Sequence, residues 1–188
     1  MQIRVVWADQ ALKKWSDQIT RLNREFPTIV PRIVNQVGRR ARTQVINNLT
    51  KQTGLKRSVI VRAVKESVSS SGNLKYSLTT RGGYIRLKYL NPKETPAGVV
   101  AKPFGQSRLY AGSFFKGGKF PRRKVVKQFD GHVYRRLNPS GSKITQVRSE
   151  VRIPEEMLEG ATYNAFESTA APLLQQRIEA VLRKKGFS

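Results

Sequence analysis

Few residues in this 188-residue chain have the types and spacing that catalysis requires. Gly82-Gly83 could cradle a phosphate, but no G-x-x-x-x-G-K-[ST] pattern or helix start follows it, and a hairpin turn is the commoner use of such a pair. Glu155-Glu156 offer paired carboxylates for general acid–base work. Directly after Pro154, however, they stand in the first turn of a helix, where acids complement the dipole. His132 is the single histidine and there is no cysteine. Disulfides and thiol chemistry are excluded, and a His-based zinc site or a Ser-His-Asp triad on one chain is close to excluded. His132 follows the Asp130-Gly131 turn and reads as a surface residue, and Asp130 serves the turn's backbone. The sequence predicts no catalytic, cofactor-binding or metal-binding residue, and no enzyme.

Charge is the informative chemistry. Residues 26 to 149 hold 26 lysines and arginines against three acids (Glu66, Glu94 and Asp130), a local charge of +23 within a total of +24. The first 25 residues carry +2 and residues 150 to 188 carry −1. A solvated basic face without a partner is the plain reading. Against it, ordinary soluble domains keep net charge at a magnitude of about 2–8, and a larger excess costs self-repulsion unless a polyanion or acidic partner offsets it.

The cations come in doublets and triplets able to neutralise phosphates: Arg39-Arg40-Ala41-Arg42, Lys56-Arg57, Arg122-Arg123-Lys124 and Arg135-Arg136. These are the candidate residues facing DNA or a partner. Aromatics are interspersed among them, so base stacking is conceivable. Tyr76 and Tyr89 fall in phase with core positions, whereas Phe104, Tyr110, Phe114, Phe115 and Phe120 lie in a Gly- and Pro-rich stretch and read as inter-subunit anchors. No base-reading motif is present, so nucleic-acid contact should be backbone-directed.

Hydrophobic period supplies the elements that must position these groups. Ile3, Val5 and Trp7 alternate as a short strand, and Leu12, Trp15, Ile19, Leu22 and Phe26 predict a helix near 9–25. A second helix near 28–52 buries Val30, Val34, Val37, Ala41, Val45 and Leu49, which puts Arg32, Arg39 and Arg42 on the far side and Arg40 on the flank. A short basic helix is expected across 55–64. After the Ser-rich joint at 67–73 the period changes to two, predicting hairpins turned at Gly82-Gly83 and Asp130-Gly131, then a strand over 144–153. Residues 91–123 read as a long loop or arm with little regular structure. A C-terminal helix over 154–185, apolar at Met157, Leu158, Ala161, Ala165 and Phe166, should kink near Pro172. The expected fold is α+β in one domain over 1–188: N-terminal helices, central antiparallel hairpins with a long loop, and a long C-terminal helix. No run of 18 apolar residues and no signal-peptide core occur, so the expectation is a soluble, intracellularly made protein without membrane contact.

Taken in order, the Arg-rich helix, the short Lys/Arg helix after Gly54, the basic β region, Ala111-Gly112-Ser113-Phe114-Phe115, Gly131-His132-Val133-Tyr134-Arg135-Arg136, Arg152-Ile153-Pro154 and the closing helix resemble the minor tail protein Z family of lambda-like tailed phages and prophages. The resemblance implies a structural virion protein, present in the host cytoplasm during assembly and then in the tail or neck. Such a protein forms a homo-oligomeric ring, expected to be hexameric. It joins the tail tube or tail terminator to the head connector around genomic DNA, and it needs no cofactor. The alternative from another class is a sequence-nonspecific nucleic-acid-binding protein of ribosomal or nucleoid type.

Overall fold

The computed structural model describes residues 2–6 and 26–184. The helix expected near 9–25 lies outside them. The chain is α+β: two long helices frame a set of small antiparallel sheets.

Helix α1 (Phe26–Thr53) forms where the apolar stripe predicts it. Val30, Val34, Val37, Ala41, Val45 and Leu49 are all buried, while Arg32, Arg39 and Arg40 are exposed. The helix stops at Gly54, which takes φ +72, a left-handed conformation that glycine adopts without a Cβ penalty. Helix α2 (Arg57–Ala63) follows and buries Ile60. At the other end of the chain, the single turn α3 (Ile153–Glu156) leads through Met157–Glu159 into α4 (Gly160–Lys184), which packs along α1. Leu174 and Ile178 are buried there, each contributing about 1.5–3 kcal/mol by leaving water. Among the described side chains of α4, Thr162, Ala170, Leu174 and Ile178 are buried. Of the apolar face expected at its start, Met157 is buried before the helix begins and Leu158 is exposed in the turn Met157–Glu159, while inside α4 Ala161 is exposed and Ala165 half-buried. Pro172 sits inside α4, removing one backbone donor from a helix that runs on to Lys184.

Among the described residues the strands form three three-stranded sheets and a two-stranded ribbon. In the first, β3 (Ser77–Arg81) lies between β1 (Gln2–Val6) and β2 (Lys65–Ser67), with Leu78 opposite Val5 and Glu66. The hairpin expected at Gly82-Gly83 does not form. Both runs flanking the glycines pair elsewhere: β3 with β1 and β2, and Ile85 with the segment at 149–151, through Ile85 N–H to the Val151 carbonyl (2.9 Å) and Ser149 N–H to the Ile85 carbonyl (2.8 Å). The second run then ends in a 3-10 turn, Leu87–Tyr89, that buries Leu87 and leaves Tyr89 exposed, against its expected place in the core.

The segment 91–123, expected as an irregular arm, is largely folded. Strands β4 (Lys93–Thr95), β5 (Gly98–Ala101) and β6 (Arg108–Ala111) make a meander that places Val99, Ala101 and Tyr110 in the core. Strands of three and four residues are too short to show a clear period in sequence. Beyond them, β7 (Ser113–Phe114) pairs with β10 (Tyr134–Arg136), which also pairs with β11 (Ile144–Gln146). A small ribbon joins β8 (Lys116–Gly117) to β9 (Lys124–Val125). At Asp130-Gly131 the predicted turn is present, with φ of 47 and 70 and a bond from His132 N–H to the Phe129 carbonyl of 2.8 Å. Its flanks are not the expected strand pair. Residues Lys127–Phe129 coil into a 3-10 turn, and the Phe129 ring lies 4.9 Å from Tyr134 and 5.9 Å from Phe114.

Candidate nucleic-acid and partner interface

The three acids of the cationic middle are all engaged by the chain itself. Glu66 accepts a 2.5 Å hydrogen bond from the Tyr76 hydroxyl. Glu94 pairs with Arg123 at 2.5 Å, and Asp130 with Lys88 at 2.7 Å. Burial, and then the bond to Glu66, push the Tyr76 phenol above its ordinary range. Tyr110 is pushed up to about 12 by burial and by donating to Glu150 (3.0 Å). These three acids can offset at most three of the 26 cations of the segment.

The ten predicted basic residues divide into sets on different elements. Arg39 and Arg40 are exposed on α1. Arg42 turns inward: it donates to the Val64 carbonyl at 3.3 Å, and its Nε is buried without a partner. Lys56 and Arg57 are exposed at the start of α2. A third set gathers around Phe114, where the guanidinium of Arg136 lies 5.1 Å and that of Arg123 6.0 Å from the ring centroid. Arg122, Lys124, Arg135 and Arg136 are exposed there. Arg123 is not. It clamps the β8–β9 ribbon by donating to the carbonyls of Gly118 (2.6 Å) and Lys116 (2.5 Å), and its partner Glu94 has a side chain only 5% exposed. An arginine with a side chain only 19% exposed, held by a carboxylate and two carbonyls, has little left to offer phosphate, so Arg123 belongs to the fold rather than to the interface.

The aromatic candidates divide too. Phe104 and Phe120 are 40% and 49% exposed, and Phe114 and Phe115 are half-buried. Tyr110 is buried in the core of a single chain, so it is not available to a neighbour. Other apolar surface lies near the Phe114 set: Val125, Leu137 and Ile144 are 78%, 64% and 40% exposed.

His132, expected at the surface, is buried because the Asp130-Gly131 turn folds it back toward Arg86. Its Nε2 lies 3.4 Å from an Arg86 nitrogen and 3.7 Å from Asp130, and Nδ1 is buried without a partner. Burial, then Lys88 and Arg86, hold its pKa below the ordinary value despite the opposing pull of Asp130. Glu155 pairs with Arg152, and Glu156 accepts from Gln52. Among the described residues no group of histidine and carboxylate side chains could hold a metal ion, and no helix is long and apolar enough to cross a membrane.

Sequence reasoning missed Arg62 and Arg81. They lie 19 residues apart, in neither doublet nor triplet, and the fold brings them to one groove beside Gly82-Gly83. No family model, curated protein or solved structure matches the chain.

Proposed function

We propose that the chain is a structural component of a tailed-phage virion, a tail-completion or neck protein whose copies form a ring around DNA between the tail and the head connector. One observation carries this reading. The cationic middle has only three acids, and all three are engaged by the chain's own side chains, while Arg39, Arg40, Lys56, Arg57, Arg122, Lys124 and Arg135 stand exposed. A surface of that charge is tolerable at close quarters only against a polyanion or acidic neighbours, and DNA in a channel supplies the first. Exposed Phe104, Phe120, Val125, Leu137 and Ile144 add apolar area that neighbouring subunits in a ring would cover. The absence of a base-reading motif suits DNA that passes through irrespective of sequence.

Electron microscopy of the nuclease-treated, purified protein tests this directly. Closed rings with a central channel are the expected result. Monomers or dimers that retain nucleic acid until nuclease treatment would contradict the ring and favour a free nucleic-acid-binding protein.

A further inference from the structure

Two neighbouring cavities, of about 260 and 480 Å³, share Arg62, Ala63 and Arg81 in their walls; the smaller opens between α2, the end of β3 and α3, the larger between α2, β2 and β3. The wall of the smaller is apolar where Val59, Ile85, Ile153 and Pro154 line it. Its polar character comes from cations. Arg62 and Arg81 are exposed and make no side-chain hydrogen bond or ion pair with any described residue, Lys65 lines the larger cavity, and no acid lines either one. An apolar floor beside two guanidinium groups that no described residue engages fits a ligand carrying an aliphatic side chain next to a carboxylate.

The chain displays such an element on its own surface. In the turn Met157–Glu159, Leu158 is 42% exposed and Glu159 is exposed beside it. Neighbouring acids are already engaged: Glu150 by Arg108, Glu155 by Arg152, Glu156 by Gln52 and Glu179 by Gln175. Glu159 has no such partner among the described residues. Electrostatics also restricts how two copies can meet. Each carries +24, so a contact between two cationic middles is repulsive, whereas residues 150–188 carry −1 and can approach a cationic groove.

We propose that the groove is a docking site for a second copy of the chain. The Leu158 side chain of that copy fills the apolar floor, and its Glu159 carboxylate meets Arg62 and Arg81. Groove and inserting turn lie close together, since Ile153 and Pro154 form the wall only four or five residues before Leu158. Two copies facing one another therefore exchange the same contact in both directions, which closes as a two-fold dimer. This contact goes beyond the proposed ring and does not depend on it, so rings without the dimer, or dimers without rings, remain separate results.

Sedimentation of the full chain after nuclease treatment tests the contact, with far-UV circular dichroism to check folding. Arg62→Glu/Arg81→Glu should raise the dimer dissociation constant at least about tenfold, and Glu159→Lys should do likewise. Net charge alone cannot explain both losses, because the first change lowers the total and the second raises it. Combining Glu159→Lys with Arg62→Glu/Arg81→Glu should restore association. A wild-type protein that stays monomeric overturns the proposal, as does unaltered association of either variant or failure of the charge swap to rescue. If the arginine variant loses affinity for duplex DNA while its dimerisation is unchanged, the groove holds nucleic acid and the proposal is likewise overturned.

Discussion

The ring of Tyr76 lies flat against the backbone of Gly38, so close that a Cβ on that glycine would sit 2.5 Å from the ring's Cγ. A fully buried tyrosine thereby spans from α1 to Glu66 on β2, and the glycine, costly in mid-helix on propensity alone, is required for that approach.

Gly38→Ala should therefore destabilise the protein, although alanine is the better helix former. Overpacking at a rigid ring costs about 2–3 kcal/mol, a large share of a domain's usual stability. Urea unfolding followed by circular dichroism would show the loss as a lower midpoint. A midpoint equal to or above that of wild type would mean that the ring and helix can separate at little cost.

Arg123 should behave as a structural residue although it sits within a basic triplet. Arg123→Ala leaves Glu94 buried without its partner, and breaking such a pair costs about 3–5 kcal/mol. Glu94→Leu/Arg123→Met should recover much of that loss, because no charge is left stranded. Duplex affinity per folded molecule should change less for Arg123→Ala than for Arg122→Ala, measured by titration at fixed salt. The reverse order would return Arg123 to the interface.

How much of this was legible in sequence depended on the range of the interactions. The α1 stripe was fully readable, since a 28-residue helix repeats its period many times and each predicted position is buried. The Asp130-Gly131 turn was readable because two left-handed residues are a local demand. Pairing was not, because β3 finds β1 more than 70 residues away and Ile85 finds Val151 across 66. The same limit applied to the interface. Doublets mark cations, but Arg123 is turned inward by Glu94, 29 residues away, together with the Lys116 and Gly118 carbonyls. Arg62 and Arg81 carry no local signal and meet only through the fold.

Acidification should weaken the fold through His132. Its pKa in the folded state is depressed, so above about pH 6.5 both states are neutral and the group adds no pH dependence. As pH falls through 6.5 the unfolded chain takes up the proton first, and stability declines until the folded-state pKa is passed. Arg86 and Lys88 oppose protonation while Asp130 favours it, and burial decides the balance. Urea midpoints measured from pH 7.5 to 5 should fall for wild type and flatten for His132→Phe. Identical slopes in the two proteins would place the pH dependence elsewhere.

If the cationic middle faces the backbone of DNA as proposed, the salt dependence of duplex binding measures it most directly. Each phosphate neutralised contributes about −0.9 to the slope of log K against log salt. With exposed cations on α1, on α2 and around Phe114, several phosphates per subunit should be engaged, so duplex affinity should fall by orders of magnitude between about 50 and 200 mM salt. Two duplexes of unrelated sequence should give the same line. A slope near zero would contradict the claim and assign the charge to acidic protein neighbours, and lines that differ strongly between the duplexes would contradict it in favour of a sequence-specific binder.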